Sequence, residues 1–389
     1  MVRTIVAVCG LEPLGNSGNT LRLALGERFR SWRPTLAVGC VAFLAVAGSC
    51  LPDTSEASSI CDDPSQSTAA IRLLCSGIEK QDGGDTDGAM TDFERALELQ
   101  PDLTEAHLML GIGYYEKKDY TRALEEYDNY LAVIPDNFHA WSNRAAVFLR
   151  IGDLAAARAD IDRALALNAD DPELLENRIA IARESADWKT VISDSTWLLE
   201  HFPVQATWLV ERGRALGAES RFTESLADLE RAVNLGPTAS AYLYRGVTRY
   251  YLGDYQAAME DFAGALADGS DLVSPYLWRC RTQYRLKQYQ AGLPDCDEYV
   301  MRRPDEYEGY YARGILRSRA GSQDGAIADY RRAIELAETP RDSANAWYGL
   351  GLTSERAGRK KDAAMAYERA LDIDPGSDLA REGLKRLGK

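Results

Sequence analysis

The sequence predicts an all-α fold: an αα superhelix, or solenoid, of about nine helix–turn–helix repeats closed by a C-terminal capping helix. Three observations predict it. Six times an arginine is followed sixteen residues later by an aspartate, and the pair recurs every 33 or 34 residues. Small and bulky residues recur with the same period, and glycine or proline marks the joints. A period of this size indicates stacked copies of one helical hairpin, because a single copy cannot bury its apolar face alone.

The arginine–aspartate pairs are predicted to hold the register of each hairpin. With Thr104 taken as position 1, they occupy positions 7 and 23, which stand level if the hairpin turns near position 15. A partly buried bidentate contact of this kind contributes about 1–3 kcal/mol. The alternative, six arginines that grip an anionic ligand, is weakened because an aspartate beside each already balances the charge. The pairs are Arg144 with Asp160, Arg178 with Asp194, Arg212 with Asp228, Arg245 with Asp261, Arg279 with Asp295 and Arg313 with Asp329.

The sequence also predicts how the two helices of one copy pack against each other. Positions 8, 20 and 27 are mostly glycine or alanine, so two backbones can approach closely there. Position 24 supplies bulk, and small residues that face large ones let helices interdigitate without voids. The bulky residues are Phe93, Tyr127, Ile161, Leu229, Phe262, Tyr330 and Tyr367.

Helix breakers give the order helix, turn, helix, turn. Near position 15, glycine or a Lys-Asp pair ends the first helix, as at Gly152, Gly253 and Lys118. Near position 32, proline ends the second helix, because it disfavours helical geometry in the residue before it. Past the last proline, residues 378–389 are predicted to form the capping helix, with either Asp378 or Ser377 as its N-cap.

The recurring positions resemble the tetratricopeptide repeat family. Trp141 and Trp347 stand at position 4, glycine at 8, an aromatic such as Phe222 at 17, alanine at 20 and 27, and proline at 32. The resemblance is a strong signal for fold and a weak one for function, since the family carries many partners on one architecture. The first and fourth copies depart from the pattern. The predicted copies are 70–103, 104–137, 138–171, 172–205, 206–238, 239–272, 273–306, 307–343 and 344–377.

The first 49 residues are predicted to be an export segment. Arginines precede an apolar stretch from Thr35 to Gly48, which is too short to span a bilayer as a retained anchor, the alternative interpretation. Cleavage after Ala47 and lipidation of Cys50 both remain open, because residues 46–50 resemble a bacterial lipobox. The long stretch before Arg28 also leaves open a start codon further downstream. Residues 50–69 are then an acidic, serine-rich tether. The chain is predicted to resemble exported bacterial lipoproteins of this family, in the periplasm or at the outer membrane.

Four cysteines remain once Cys9, Cys40 and Cys50 are assigned to the export segment and its anchor. An even number suits an oxidising compartment. Two of them occupy positions 8 and 24 of one copy, so they stand level across a hairpin and are able to form a bridge; two buried thiols are the alternative. The other two could fasten the N-terminal segment to the weak first copy. The candidate disulfides are Cys61 with Cys75 and Cys280 with Cys296.

Composition argues against several function classes. Beyond residue 50 the chain has 40 basic and 58 acidic residues, a net charge of −18 that should repel nucleic acid. The three histidines lie in different copies, without metal-ligand spacing. No glycine-rich phosphate loop and no Gly-x-Ser-x-Gly elbow occurs in the sequence. We therefore predict no enzymatic activity, no catalytic residue, no cofactor and no metal.

The resemblance implies that the first helices of the copies line a concave groove, mainly at positions 2, 5, 6, 9, 12 and 13. Aromatic residues interleaved with arginine at these positions have the composition of binding hot spots. Asparagine at position 6 is used by the family to hold an extended peptide. The alternative is that the aromatics seal one copy against the next. The candidate partner-binding residues are Tyr244, Tyr250, Tyr251, Trp278, Arg281, Tyr284, Arg285, Tyr311, Arg319, Tyr348, Arg356, Asn143 and Asn177.

These features predict a non-catalytic scaffold that binds a protein or extended peptide in the groove during cell-envelope assembly. We expect no nucleic acid partner, and membrane contact only through the N-terminal lipid anchor. Two alternatives remain open: a structural spacer or self-oligomerising module, and a non-catalytic subunit of an enzyme complex.

Overall fold

The computed structural model describes Cys61 and residues 68–267 and 271–388, and all regular structure in these ranges is α-helical. The predicted export segment, Cys50 and most of the predicted tether lie outside the described residues. In chain order the helices are α1 Ala69–Asp82, α2 Thr86–Leu99, α3 Thr104–Glu116, α4 Tyr120–Val133, α5 Phe138–Ile151, α6 Leu154–Leu167, α7 Pro172–Glu184, α8 Trp188–His201, α9 Ala206–Ala218, α10 Phe222–Leu235, α11 Ala239–Leu252, α12 Tyr255–Ala267, α13 Ser274–Arg285, α14 Leu293–Arg302, α15 Tyr307–Ala320, α16 Gln323–Leu336, α17 Pro340–Arg356, α18 Lys360–Ile373 and α19 Asp378–Arg386.

The helices form two compact units, and each consists of antiparallel hairpins packed side by side. In the N-terminal unit, which ends at Ala215, α1 packs on α2, α3 on α4, α5 on α6 and α7 on α8. In the C-terminal unit, which starts at Leu216, α11 packs on α12, α13 on α14, α15 on α16 and α17 on α18. The predicted all-α repeat fold is confirmed. We call the first helix of each hairpin the A helix and the second the B helix.

Every hairpin turns through one residue in the left-handed backbone conformation, and this residue is always at position 15. Five of these residues are glycine, for which positive φ carries no steric penalty. The other four are strained to a small degree, because a Cβ disfavours this conformation. The nine residues are Gly84, Lys118, Gly152, Ala186, Ser220, Gly253, Lys287, Gly321 and Gly358.

Small residues at position 8 let the A helix rest directly on the bulky side chain of its B helix. A Cβ added at Gly246 would lie 2.6 Å from Phe262, and one added at Gly111 would lie 2.8 Å from Tyr127. Both rings are fully buried. These contacts sit at the centre of each hairpin and place the opposite side of the A helix towards the next repeat or the solvent.

The seventh and ninth hairpins differ from the predicted pattern. Helix α14 begins at Leu293, four residues later than position 17, because Pro294 has no N–H to donate and fits only in the first turn of a helix. Helix α17 begins at Pro340, before the predicted start of its copy at residue 344, because Thr339 caps a first turn that the extra residues supply. The fourth copy, whose sequence departs from the pattern, still forms a regular hairpin with Ile179, Ser195 and Leu198 buried.

The C-terminal helix α19 covers the last hairpin. Its N-cap is Ser377, whose hydroxyl accepts a hydrogen bond from the backbone of Ala380. Leu384 and Leu387 pack on the cluster around Tyr367. In the part of the chain that the structure describes, no helix is both long and apolar enough to cross a membrane.

Candidate partner-binding surface

The arginine–aspartate pairs join the A and B helices within each hairpin. Arg245 Nη2 donates to Asp261 Oδ1 at 2.6 Å, and Nε donates to the same carboxylate at 3.0 Å. The same two-point contact joins Arg144 to Asp160, Arg178 to Asp194, Arg279 to Asp295 and Arg313 to Asp329.

The aspartates of these five pairs are buried, so the contacts are shielded from solvent. In the remaining predicted pair, Asp228 is buried too, and Arg212 donates to Thr196 Oγ1 at 3.2 Å. The geometry suits a structural role, because a buried aspartate already balances the charge of each of these guanidinium groups.

Further ions extend several of these pairs into small networks. In the sixth repeat, Arg249 Nη1 donates to Asp261 Oδ2 at 2.9 Å, so this aspartate has two cationic partners. Arg317 plays the same part at Asp329. On the other side, Arg313 Nη1 reaches Asp297 of the preceding B helix at 2.8 Å. The networks therefore connect neighbouring hairpins as well as the helices within one.

Both candidate cysteine pairs form disulfides in the structure. Cys280 of α13 is joined to Cys296 of α14, with Cα atoms 5.4 Å apart, and both residues are fully buried. They replace the small residue at position 8 and the bulky residue at position 24 of other repeats. Cys61 is joined to Cys75 of α1, with Cα atoms 5.7 Å apart, and this bond fastens a residue from before the first helix to the first hairpin.

Trp278 and Tyr250 do not form part of an accessible binding surface. Their exposed fractions are only 8% and 6%, and their ring centroids lie 5.4 Å apart in an edge-on contact between α13 and α11. Phe262 also stacks on Trp278, with centroids 6.3 Å apart. The prediction that these two residues contact a partner is therefore corrected: they seal the sixth repeat against the seventh.

The other predicted residues of the C-terminal unit stay at least partly accessible on its A helices. Tyr244 and Tyr251 lie on α11, Tyr311 on α15 and Tyr348 on α17, all partly buried. Because α11 packs beside α13, α13 beside α15 and α15 beside α17, residues at equal repeat positions lie on one side of the unit. We call this side the C-terminal A face. Its remaining predicted members are Arg281, Tyr284, Arg285, Arg319 and Arg356.

The charges of the C-terminal A face are not uniform. Glu308, at position 2 of α15, is partly buried, and this burial raises the pKa of its carboxyl group. The positive charge of Arg281 acts in the opposite direction on this pKa. Burial likewise raises the pKa of the Tyr348 hydroxyl. Glu355 is paired with the capping helix α19, because Arg386 donates to both carboxylate oxygens of Glu355 at 3.0 and 2.9 Å. Sequence reasoning missed Glu308, since it considered only aromatic and basic residues on this side.

The two asparagines of the N-terminal unit have different surroundings. Asn177 Nδ2 donates to Ser142 Oγ at 3.0 Å, across neighbouring A helices. Nδ2 of Asn143 is buried and finds no acceptor among the described residues. The assignment of both asparagines to a partner stays a prediction. Within the described ranges, no group of three or more His, Cys, Asp or Glu residues could hold a metal ion.

Known proteins are similar to parts of this chain. The DnaJ homolog subfamily C member 7 homolog of Schizosaccharomyces pombe is 28% identical over 127 residues, which cover 28% of this chain and 27% of the relative. Tetratricopeptide repeat protein 36 of Mus musculus is 33% identical over 95 residues, which cover 23% of this chain and 46% of the relative. The chain thus spans less than half the length of these curated relatives.

Solved structures with similar architecture include YrrB, described as a TPR protein with an unusual peptide-binding site. Its TM-score is 0.43 and its identity 22%, and the match covers 49% of this chain and 97% of YrrB. The APC/C hetero-tetramer Cut9-Hcn1 gives a TM-score of 0.43 at 11% identity, with 88% of this chain and 99% of that chain covered.

The family model described as Tetratricopeptide repeat matches four regions of the sequence, 76–133, 108–172, 210–272 and 311–378. Together these regions include more than half of the chain. They contain the hairpins that carry three of the five buried pairs, at Asp160, Asp261 and Asp329, and most of the C-terminal A face. The chain therefore belongs to the tetratricopeptide repeat family, whose repeats are in general non-catalytic protein–protein interaction modules.

Proposed function

We propose that this protein is an exported, non-catalytic scaffold that holds an extended peptide or protein partner on its C-terminal A face during cell-envelope assembly. The observation that carries the proposal is the set of partly buried tyrosines and arginines on adjacent A helices. Tyr284, Tyr311 and Tyr348 present large rings at low cost in side-chain entropy, and arginine lies beside them. Such a surface suits a chain that lies across several repeats.

The rings of this face have rigid support. Tyr311 contacts the buried Tyr330 edge-on, with centroids 6.0 Å apart, and Tyr348 contacts the buried Tyr367 at 5.9 Å. Rings that are already fixed lose little freedom when a partner arrives, so more of the contact energy appears as affinity. This support favours binding by a preformed surface.

The cysteines support the proposed compartment. Two disulfides are typical of proteins that fold outside the reducing cytosol. The net charge of −18 beyond residue 50 also agrees with a protein partner better than with nucleic acid. We propose the periplasm or the outer membrane as the location, with lipid attached at Cys50 as the only membrane contact.

Site-specific crosslinking tests the proposal. A photoreactive phenylalanine analogue replaces Tyr348 on the C-terminal A face, and a control variant carries it at Tyr310, which lies on α15 beside Arg313 and Arg332. We expect one discrete partner protein to be captured in living cells from the first site and not from the second. Equal capture at both sites would contradict the proposed surface.

The same experiment addresses self-assembly. If the species captured from Tyr348 is a second copy of this chain, and light scattering shows a dimer, the spacer function replaces the scaffold function. A monomer that captures a different protein supports the scaffold.

A further inference from the structure

We infer that the C-terminal A face selects an acidic, extended peptide whose carboxylates recur at about every third residue, and that Arg285, Arg319 and Arg356 bind those carboxylates. The inference rests on the proposed function and names the chemistry of its partner. These arginines occupy position 13 of the A helix in three consecutive repeats.

The three arginines lack the ion pairs that most other arginines of the unit form. Within the described ranges, none of their guanidinium groups lies within 4.0 Å of a carboxylate. By contrast, Arg245 and Arg313 each hold a buried aspartate. Arginine presents donors in a fork that matches a carboxylate, so an unpaired arginine on an exposed face has its recognition capacity free.

Neighbouring repeats already hold two of the three groups in place. The guanidinium carbon of Arg285 lies 4.5 Å from the ring centroid of Tyr255 in the preceding repeat. Arg356 Nη1 donates to Ser318 Oγ of the preceding repeat at 3.1 Å. Ser318 is buried, and its Oγ also accepts a hydrogen bond from Thr353 Oγ1 at 2.9 Å. The acceptor of the Arg356 hydrogen bond is therefore itself held in place. Arg319 is exposed.

A simpler explanation is that cations at position 13 complement the helix dipole, because this position lies in the last turn of the A helix. The N-terminal unit argues against it. There the same position carries Asp82 at the end of α1, Glu116 at the end of α3 and Glu184 at the end of α7. The third repeat has Arg150 there, and its Nε donates to Tyr115 Oη at 3.1 Å. Three carboxylates at the end of an A helix show that the helix dipole does not determine the residue at position 13. Arginine occupies this position in consecutive repeats only in the last three.

Charge complementarity identifies the partner. The chain has a formal net charge of −15, so it repels acidic proteins in general. A row of unpaired arginines on one face of such a chain is a local exception, and it favours a ligand that brings its own carboxylates to that row. The partly buried Tyr284 and Tyr348 beside the row suit an extended backbone rather than a single small anion.

The spacing follows from helix packing. Helices α13 and α15 pack side by side, as do α15 and α17, and packed helices have axes about 8–10 Å apart. An extended chain advances roughly 3.3–3.6 Å per residue. Three residues of peptide therefore cover about one repeat, and carboxylates at every third residue meet successive arginines.

Peptide binding tests this inference. The probe is a fluorescein-labelled peptide of about ten residues with Glu at every third position and Gly, Ser and Tyr elsewhere. We expect Arg319→Gln to weaken its binding roughly tenfold, the usual loss for a hydrogen bond to a charged group. The matched control is Arg331→Gln, because Arg331 is another exposed arginine of the same repeat, on the B helix α16, and has no ion pair among the described residues. The control should bind as the unmodified protein does.

Four results would overturn the inference. If a peptide with Gln in place of Glu binds equally well, the carboxylates do not contribute to binding. If a peptide of the same composition with adjacent Glu residues binds equally well, the spacing of the carboxylates does not matter. If the two arginine variants bind the peptide with equal affinity, the arginine row does not bind it. Vesicles of phosphatidylglycerol that bind in place of the peptide, with the same loss in Arg319→Gln, assign the row to lipid. The first three leave the proposed scaffold intact if Tyr348 still captures a partner.

Discussion

Removal of the cations around Asp261 tests the structural role of the buried pairs. Asp261 is 1% exposed, and it is held by Arg245 through three hydrogen bonds and by Arg249 through one. Loss of one partner of a buried ion pair typically costs about 3–5 kcal/mol, because the other charge stays buried. In Arg245→Ala the second cation remains 2.9 Å away, so we expect a loss of about 2 kcal/mol.

The double variant Arg245→Ala/Arg249→Ala leaves the same carboxylate with neither cation. We expect about 4 kcal/mol of lost stability, more than twice the effect of Arg249→Ala alone, whose other contact is an exposed bridge to Glu230 at 3.3 Å. Adding Asp261→Asn to the double variant removes the buried charge and should restore about 2 kcal/mol. The restoration separates the effect of a stranded charge from lost packing.

The assay is urea unfolding combined with amide hydrogen exchange of α11 and α12, because repeat arrays do not always unfold in one step. Peptide affinity of Arg245→Ala, measured at a temperature where the protein stays folded, should be unchanged. Equal stability of the single variant, the double variant and the unmodified protein would refute the reasoning, and so would a double variant that Asp261→Asn fails to improve.

Three further predictions concern single positions. Ala186→Gly should raise the free energy of unfolding by about 0.5–1 kcal/mol, because it removes a Cβ from a left-handed turn; a lower melting temperature would contradict this. Reduction of the Cys280–Cys296 disulfide should cost about 3 kcal/mol for a loop of this length, and mass spectrometry without reductant should show the bond in protein isolated from cells. Hydrogen bonds from Arg386 hold the pKa of Glu355 below its ordinary value of 4.5, so the stability that this pair adds is present above that pH and is lost as the pH falls through the lowered pKa. Thermal melts of Glu355→Gln should therefore show a weaker acid dependence than those of the unmodified protein; an identical dependence would exclude the pair.

The features within one hairpin were accessible to sequence reasoning, because they depend on short separations along the chain. Positions 7 and 23 are equally far from a turn at position 15, so Arg245 and Asp261 had to stand level once two helices were assumed. The small residue at position 8 and the ring at position 24 follow from the same geometry, as Gly246 and Phe262 show. Only a local exception, such as Pro294 in the first turn of α14, moved a helix end.

The binding surface was harder to predict, because it depends on how one repeat covers the next. Trp278 and Tyr251 both fall on the A-helix side by their repeat positions, yet Trp278 is buried while Tyr251 is only partly covered. The difference arises from Phe262 and Tyr250, which belong to the preceding repeat and pack on Trp278. The repeat position of a residue predicts the side of the helix on which it lies. How deeply the residue is buried depends on the side chains of the neighbouring repeat.

Arginines at different repeat positions have different roles, and their exposure distinguishes these roles. Position 7 arginines such as Arg313 form ion pairs with buried carboxylates, and these pairs stabilise the hairpin. Position 13 arginines such as Arg319 lie six residues further along the same helix, past the end of the aspartate network, and have no such partner among the described residues. One residue type thus supports two roles on one helix, and the position of the nearest carboxylate separates them. A substitution at Arg313 should therefore change stability before affinity, and one at Arg319 should change affinity while the melting temperature stays constant.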